Sequence, residues 1–154
     1  MNIAQVLIDT TKKFPQKAAV IFRDQPITFI QLKDFSFKLA NALKKLGIKK
    51  GDKLAIYLPN CPEYIFTYLA IWSLGATAVP LDFMLTEDEL VPCISHSDAK
   101  ILITKSKANI SLATLKGKCP SLEKVILAHE KIDGFLSFEE LLGKQTASFP
   151  TVNI

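Results

Sequence analysis

Cys61 has the neighbours most suggestive of chemistry. It stands in Leu58-Pro-Asn-Cys-Pro62, just before an uncharged helix-like run, and a helix N-terminus lowers a thiol pKa. A nucleophilic thiol still needs a base. The two histidines, His96 and His129, lie far from it in sequence, and no Ser/His/Asp or Cys/His order is recognisable. His96, in Ser95-His-Ser-Asp98, reads as an exposed partner of a helix dipole. His129 reads as a loop residue rather than a ligand. Asn60 can present its amide, with helix N–H groups, to an anion; the plainer reading is that it satisfies backbone groups of the corner.

Other candidates have equally plain explanations. Glu87-Asp88-Glu89 and Glu139-Glu140 fall in first helical turns, where capping and dipole complementarity account for them without acid–base work. The aromatics Phe29, Phe35, Phe37 and those from Tyr64 to Trp72 recur at helix-core spacing; an acyl or aromatic ligand pocket is the alternative. The six glycines, at 47, 51, 75, 117, 134 and 143, never reach the spacing of a dinucleotide fingerprint or a P-loop. Cys61, Cys93 and Cys119 are three, widely spaced, with no Cys-x-x-Cys, so neither a disulfide framework nor a zinc site is readable. Free thiols in a reducing cytoplasm fit best.

The chain of 154 residues carries a net charge of +4 and suits one compact core. Its lysines are interspersed with carboxylates and Arg23 is the single arginine, so clustered-arginine readout of nucleic acid is unsupported. The N-terminus lacks the basic and apolar regions of a secretory signal. Tyr64 to Leu81 is uncharged for about eighteen residues, near the lower limit for a membrane span. Gly75 and Pro80 interrupt it, which favours a buried helix followed by a buried strand.

The elements that must position these residues can be read in order. Asn2 and Gln5 have capping-box spacing for a helix over 2–13, which Phe14-Pro15 ends. A strand at 18–22, a turn at 23–26 and a returning strand at 27–29 follow. Thr28 and Gln31 form a second box before an amphipathic stripe of Leu32, Phe35, Leu39, Leu43 and Leu46, closed by Gly47. Lys53–Leu58 reads as a strand, Pro62–Leu74 as a helix apolar on nearly every side, and Ala76–Leu81 as a strand parallel to the first. Thr86 and Glu89 open a helix to about Ser97, in which Pro92 predicts a kink or break. A strand over 100–104, a helix around 109–115, a strand over 124–128 and a short helix capped by Ser137 and Glu140 complete the order. The fold class is α/β, with a mostly parallel sheet and flanking helices over 1–143 and a linker-like tail over 144–154.

Taken in order, Ile27-Thr-Phe-Ile-Gln-Leu32, Leu39-Ala-Asn-Ala-Leu-Lys-Lys-Leu-Gly47, Lys50-Gly-Asp-Lys-Leu-Ala-Ile56, Pro59-Asn-Cys-Pro-Glu63, Leu69-Ala-Ile-Trp-Ser-Leu-Gly-Ala76, Val79-Pro-Leu-Asp82 and Leu85-Thr-Glu-Asp-Glu-Leu90 resemble the beginning of the adenylate-forming (AMP-binding) superfamily. The likeness is greatest to its acyl-CoA synthetases. It covers about residues 1–105 and is looser over 106–154. It implies the N-terminal subdomain of a two-step ligase, in which a carboxylate attacks ATP to give an acyl-adenylate and a thiol such as coenzyme A then displaces AMP. ATP, Mg2+ and coenzyme A are thus implied for the full-length enzyme, with a small-molecule carboxylate as substrate and a fatty acid as the class that the resemblance favours. The family's phosphate loop, Thr-Glu region, ribose-binding Asp and C-terminal lysine match nothing here. No residue of this chain therefore receives a catalytic, cofactor-binding or metal-binding role. The expectation is an inactive, cytoplasmic scaffold whose partner is the rest of the enzyme. The alternative is a free-standing interaction module that self-associates through apolar surface near Tyr64–Trp72.

Overall fold

The computed structural model describes residues 3–150. Helix α1 spans Ile3–Lys13; the Asn2 end of its expected capping box lies outside the described residues. Strands β1 (Ala18–Phe22) and β2 (Gln25–Thr28) form an antiparallel hairpin. Its turn is shorter than the sequence suggests. Arg23 and Asp24 make it alone, both with positive φ (48° and 61°), the conformation that a tight two-residue hairpin demands.

Helix α2 (Phe29–Lys45) starts at the expected capping box: Thr28 Oγ1 accepts from the Gln31 amide and the Gln31 side chain accepts from the Thr28 amide. Thr28→Ala is expected to lose about 1 kcal/mol of stability, measurable as a lower urea midpoint. Gly47, at φ 96°, closes the helix as expected.

A five-stranded sheet follows, with β3 (Lys53–Tyr57), β4 (Thr77–Pro80), β5 (Ile101–Thr104), β6 (Lys124–Leu127) and β7 (Leu136–Ser137) in the order β4-β3-β5-β6-β7. Every pairing is parallel. Helices α3 (Pro62–Ser73), α4 (Glu87–Ser97), α5 (Leu112–Lys118) and α6 (Phe138–Gly143) flank it. The uncharged run from Tyr64 to Leu81 is thus α3 plus β4. Among the described residues, no helix is long and apolar enough to cross a membrane.

Side-chain alternation along the strands sorts the core into two layers. Leu54, Ile56, Ile101, Ile103 and Ile126 join α1, α2, α3 and α6. Ala55, Tyr57, Leu102, Val125 and Leu127 join α4 and α5. Both faces being covered explains why the strands read as unbroken apolar runs.

Two sequence expectations are corrected, and one strand adds to the expected order. Helix α4 runs unbroken through Pro92, because the carbonyl left without its donor belongs to Asp88, exposed in the first turn where water can serve it. Helix α5 starts three residues later than the expected 109. Ser111 caps it by accepting from the Thr114 amide at 3.2 Å, while Asn109 lies in a turn. Strand β7, two residues long, carries no local signal and exists through its pairing with β6. Residues 144–150 hold no helix or strand, but they lie against α2. Asn41 donates to the Thr146 and Ser148 carbonyls at 3.0 and 2.9 Å, and Phe149 meets Phe37 edge-on.

The amino end of the sheet is fastened by Asp52, which accepts from the Lys49 amide at 2.8 Å and from the Lys100 ammonium at 2.7 Å. Burial pushes its carboxyl up, but Lys100 and the Lys49 amide together outweigh burial and hold it below the ordinary 3.8. A carboxylate with a depressed folded pKa contributes stability that is complete above the unfolded value and disappears as pH falls through the folded one. The stability gap between the parent and Asp52→Asn, read from urea midpoints, is therefore expected at pH 7 and should close on acidification below 3.8.

Candidate functional site

Where a parallel sheet reverses its order of growth, the loops beyond the carboxyl ends of the strands diverge and leave a crevice. Here β3 is followed by β4 on one side and β5 on the other, so the reversal lies between β3 and β5. The two loops concerned are Leu58–Cys61, leading into α3, and Lys105–Ser111, leading into α5. A cleft of about 340 Å³ opens there, lined by Phe22, Arg23, Asn60, Cys61, Lys105 and His129, among others. The hairpin tip thus contributes the only arginine of the chain.

Tyr57 and Lys107 hold this edge together. Tyr57 ends β3 facing the α4–α5 layer with its ring buried, so its hydroxyl needs a partner nearby. It donates to the Leu85 carbonyl at 2.7 Å and lies 3.1 Å from the Phe83 carbonyl. The Lys107 ammonium donates to the Tyr57 hydroxyl at 3.1 Å and to the Phe83 carbonyl at 2.7 Å, and lies 5.2 Å from the Phe83 ring centre. A lysine after β5 thereby ties down the loop after β4 across the strand between them. Thr104 adds a buried bond to the Tyr57 carbonyl at 2.8 Å, and Glu130 accepts from the Ser106 amide.

Cys61 is the residue before the first turn of α3, but its thiol makes no cap. Burial, reinforced by the Glu63 charge, outweighs the helix end and pushes the thiol up to about 11. The lowered pKa expected from sequence is therefore overturned, and Cys61 is a protonated thiol near neutral pH. Asn60 also departs from expectation. It is exposed, and its amide makes no hydrogen bond among the described residues, so it does not satisfy the corner.

His129 lies in the loop after β6 with φ 65°. Its amide donates to Glu139 at 2.9 Å, and its ring nitrogens lie 3.1 Å from Glu63 Oε2 and 3.7 Å from Glu139 Oε1. Glu63 Oε2 is buried without an aligned hydrogen-bond donor, so the short approach of His129 is a charge contact, effective when the ring is protonated. Glu139 and Glu63 occupy first helical turns, and Glu140 pairs with Lys131 at 2.6 Å. In the other acidic run, Glu89 completes the capping box with Thr86, and Glu87 accepts from the Ser111 amide at 2.8 Å. His96 is exposed in the last turn of α4. Among the described residues no three His, Cys, Asp or Glu side chains converge to hold a metal ion.

The aromatic candidates divide between core and surface. Phe37 and Phe66 are buried, while Tyr64, Tyr68 and Trp72 stack along one side of α3 at 5.4 and 4.8 Å and remain half-buried. Burial first, then Tyr68, pushes the Tyr64 hydroxyl up to about 12. None of these rings lines the cleft at the strand ends. Another cleft, of about 420 Å³, lies between α2 and residues 144–148, where the Asn41 amide already donates to two carbonyls.

Sequence reasoning missed the Lys107 latch, the grouping of Glu63, His129 and Glu139, and the place of Arg23 in the cleft. A fully buried strand ending in tyrosine was the one available hint, since such a hydroxyl must find a partner.

The fold and the crevice define an open, parallel α/β unit of the kind that carries sites at its strand ends. Residues 7–150 match the AMP-binding enzyme family, and the chain belongs to that family. The crotonobetaine/carnitine–CoA ligase of Salmonella paratyphi A is 28% identical over 156 residues, covering 96% of this chain and 30% of that protein. The long-chain-fatty-acid–CoA ligase of Bacillus subtilis is 31% identical over 103 residues, covering 67% of this chain and 18% of that protein. Coronafacic acid ligase from Pectobacterium brasiliense superposes with a TM-score of 0.87 at 29% identity, over 100% of this chain and 31% of that one. A long-chain-fatty-acid–CoA ligase from Archaeoglobus fulgidus, at 23% identity and a TM-score of 0.88, shares the fold over 32% of its length. The chain thus spans less than a third of each of these relatives. Its α/β sheet with flanking helices corresponds to their N-terminal part.

Proposed function

We infer that this chain forms the N-terminal part of an ATP-dependent, AMP-forming acyl-CoA synthetase. The observation that carries this reading is the family match across residues 7–150 together with relatives that are CoA ligases. In the proposed enzyme a carboxylate is activated as an acyl-adenylate and passed to coenzyme A, with Mg2+ accompanying ATP. A fatty acid is the proposed substrate class and the cytoplasm the proposed location. The role of residues 1–154 is support. A sheet fastened at one end by Asp52 and at the other by Lys107 is a rigid platform for sites supplied by other sequence. No residue described here matches the phosphate loop that such chemistry requires.

The test is carboxylate-dependent exchange of label between pyrophosphate and ATP. Residues 1–154 alone are expected to show none, and the same segment within a chain of family length is expected to show it. Exchange by the short chain would overturn the supporting role; none by the long chain would overturn the ligase reading.

The Tyr64–Tyr68–Trp72 ladder favours a second reading, an interaction module that self-associates through α3. Sedimentation distinguishes it: a concentration-dependent dimer abolished by Trp72→Ser supports the module, and a monomer throughout removes it.

A further inference from the structure

We propose that the cleft between the β3 and β5 loops binds a phosphate-type oxyanion, held by Arg23, Asn60 and Lys105. This goes beyond the ligase reading and does not depend on it. Three hydrogen-bond donors reach this one cleft from segments remote in sequence: the β1–β2 turn, the loop after β3 and the loop after β5. None has a partner that would occupy it. Arg23 and Lys105 make no ion pair, and the Asn60 amide makes no hydrogen bond, among the described residues.

Arg23 is also prepared for the task. Its guanidinium lies 5.2 Å from the Phe22 ring centre, and Phe22 lines the same cleft. A guanidinium resting over an aromatic face keeps its N–H groups available to a planar or tetrahedral oxyanion. The lining also includes His129, whose ring nitrogens approach the carboxylates of Glu63 and Glu139; neither carboxylate lines the cleft. The two permanent charges in the cleft are therefore positive. The volume of about 340 Å³ accommodates a phosphate with a small organic body, and lies at the lower end of small-ligand sites.

The chemistry recognised is the phosphate group, which a free phosphate or a small phosphate monoester can supply. The test is a titration of the 15N-labelled 154-residue chain with inorganic phosphate and, separately, with glycerol phosphate, at constant ionic strength and pH 7.5. Saturable shifts confined to the amides around Arg23, Asn60 and Lys105 are expected. Arg23→Gln and Lys105→Gln should each weaken binding about tenfold, since each removes a charge-assisted bond. Lys144→Gln, in the cleft beside α2, should leave it unchanged. Both substituted side chains are exposed, so unchanged spectra elsewhere are expected and verify the fold. Tighter binding of glycerol phosphate assigns the site to a monoester, and equal affinity assigns it to phosphate itself. Absence of saturable shifts, or equal binding by Arg23→Gln and Lys105→Gln, overturns the proposal.

Discussion

Replacing Tyr57 with alanine is expected to cost about 3–5 kcal/mol of folding stability, and replacing it with phenylalanine about 1–2 kcal/mol. The ring is 1% exposed and packs on Phe83 with centroids 4.8 Å apart, so its loss opens a cavity beneath the β4–α4 loop. Phenylalanine keeps that packing and loses only the hydroxyl, leaving the Leu85 carbonyl without its 2.7 Å donor. Lys107→Met should resemble the phenylalanine variant, because it frees the Phe83 carbonyl while retaining an apolar stem. The two polar substitutions share one network, so their combined cost should fall short of the sum. Urea unfolding of Tyr57→Ala, Tyr57→Phe, Lys107→Met and the Tyr57→Phe/Lys107→Met double variant measures all four quantities. Additive costs would show that the lysine and the hydroxyl act separately.

The same network shows how far the sequence could be read. Capping at Thr28 and Thr86, closure of α2 at Gly47 and the parallel β3–β4 pair were all legible, because each is decided within a few residues. The α/β class with a mostly parallel sheet was likewise legible, from short apolar runs alternating with helical segments. What escaped depends on contacts between distant segments. Lys107 reads as any loop lysine until Tyr57, fifty positions away, is placed beneath it. Strand β7 has only two residues and becomes a strand through β6. The Cys61 thiol was misjudged because a helix end was weighed without the burial that opposes it. Family membership was legible because many weak motifs occur in one order, whereas the cleft at Arg23 required knowing where the hairpin tip lies.

The largest loss is expected at the centre of the sheet. Strand β5 lies between β3 and β6, and its successive side chains enter opposite layers, Leu102 with α4 and α5 and Ile103 with α2 and α3. Both are 0% exposed. Each truncation to alanine should cost about 2–5 kcal/mol through lost transfer energy and a residual cavity. The two cavities lie on opposite faces of the sheet and share no packing partner, so the costs should add despite the residues being adjacent in sequence. Their sum approaches the ~5–15 kcal/mol that holds a domain of this size together, so the Leu102→Ala/Ile103→Ala chain is expected to be largely unfolded at 37 °C. Ile21→Ala provides the contrast: this strand residue is equally apolar but 71% exposed, and its loss should stay within about 0.5 kcal/mol. Circular dichroism with urea unfolding separates these outcomes. A double variant no less stable than either single one would mean that the two layers relax into each other's cavity, and that the sheet does not divide the core as its alternating side chains require.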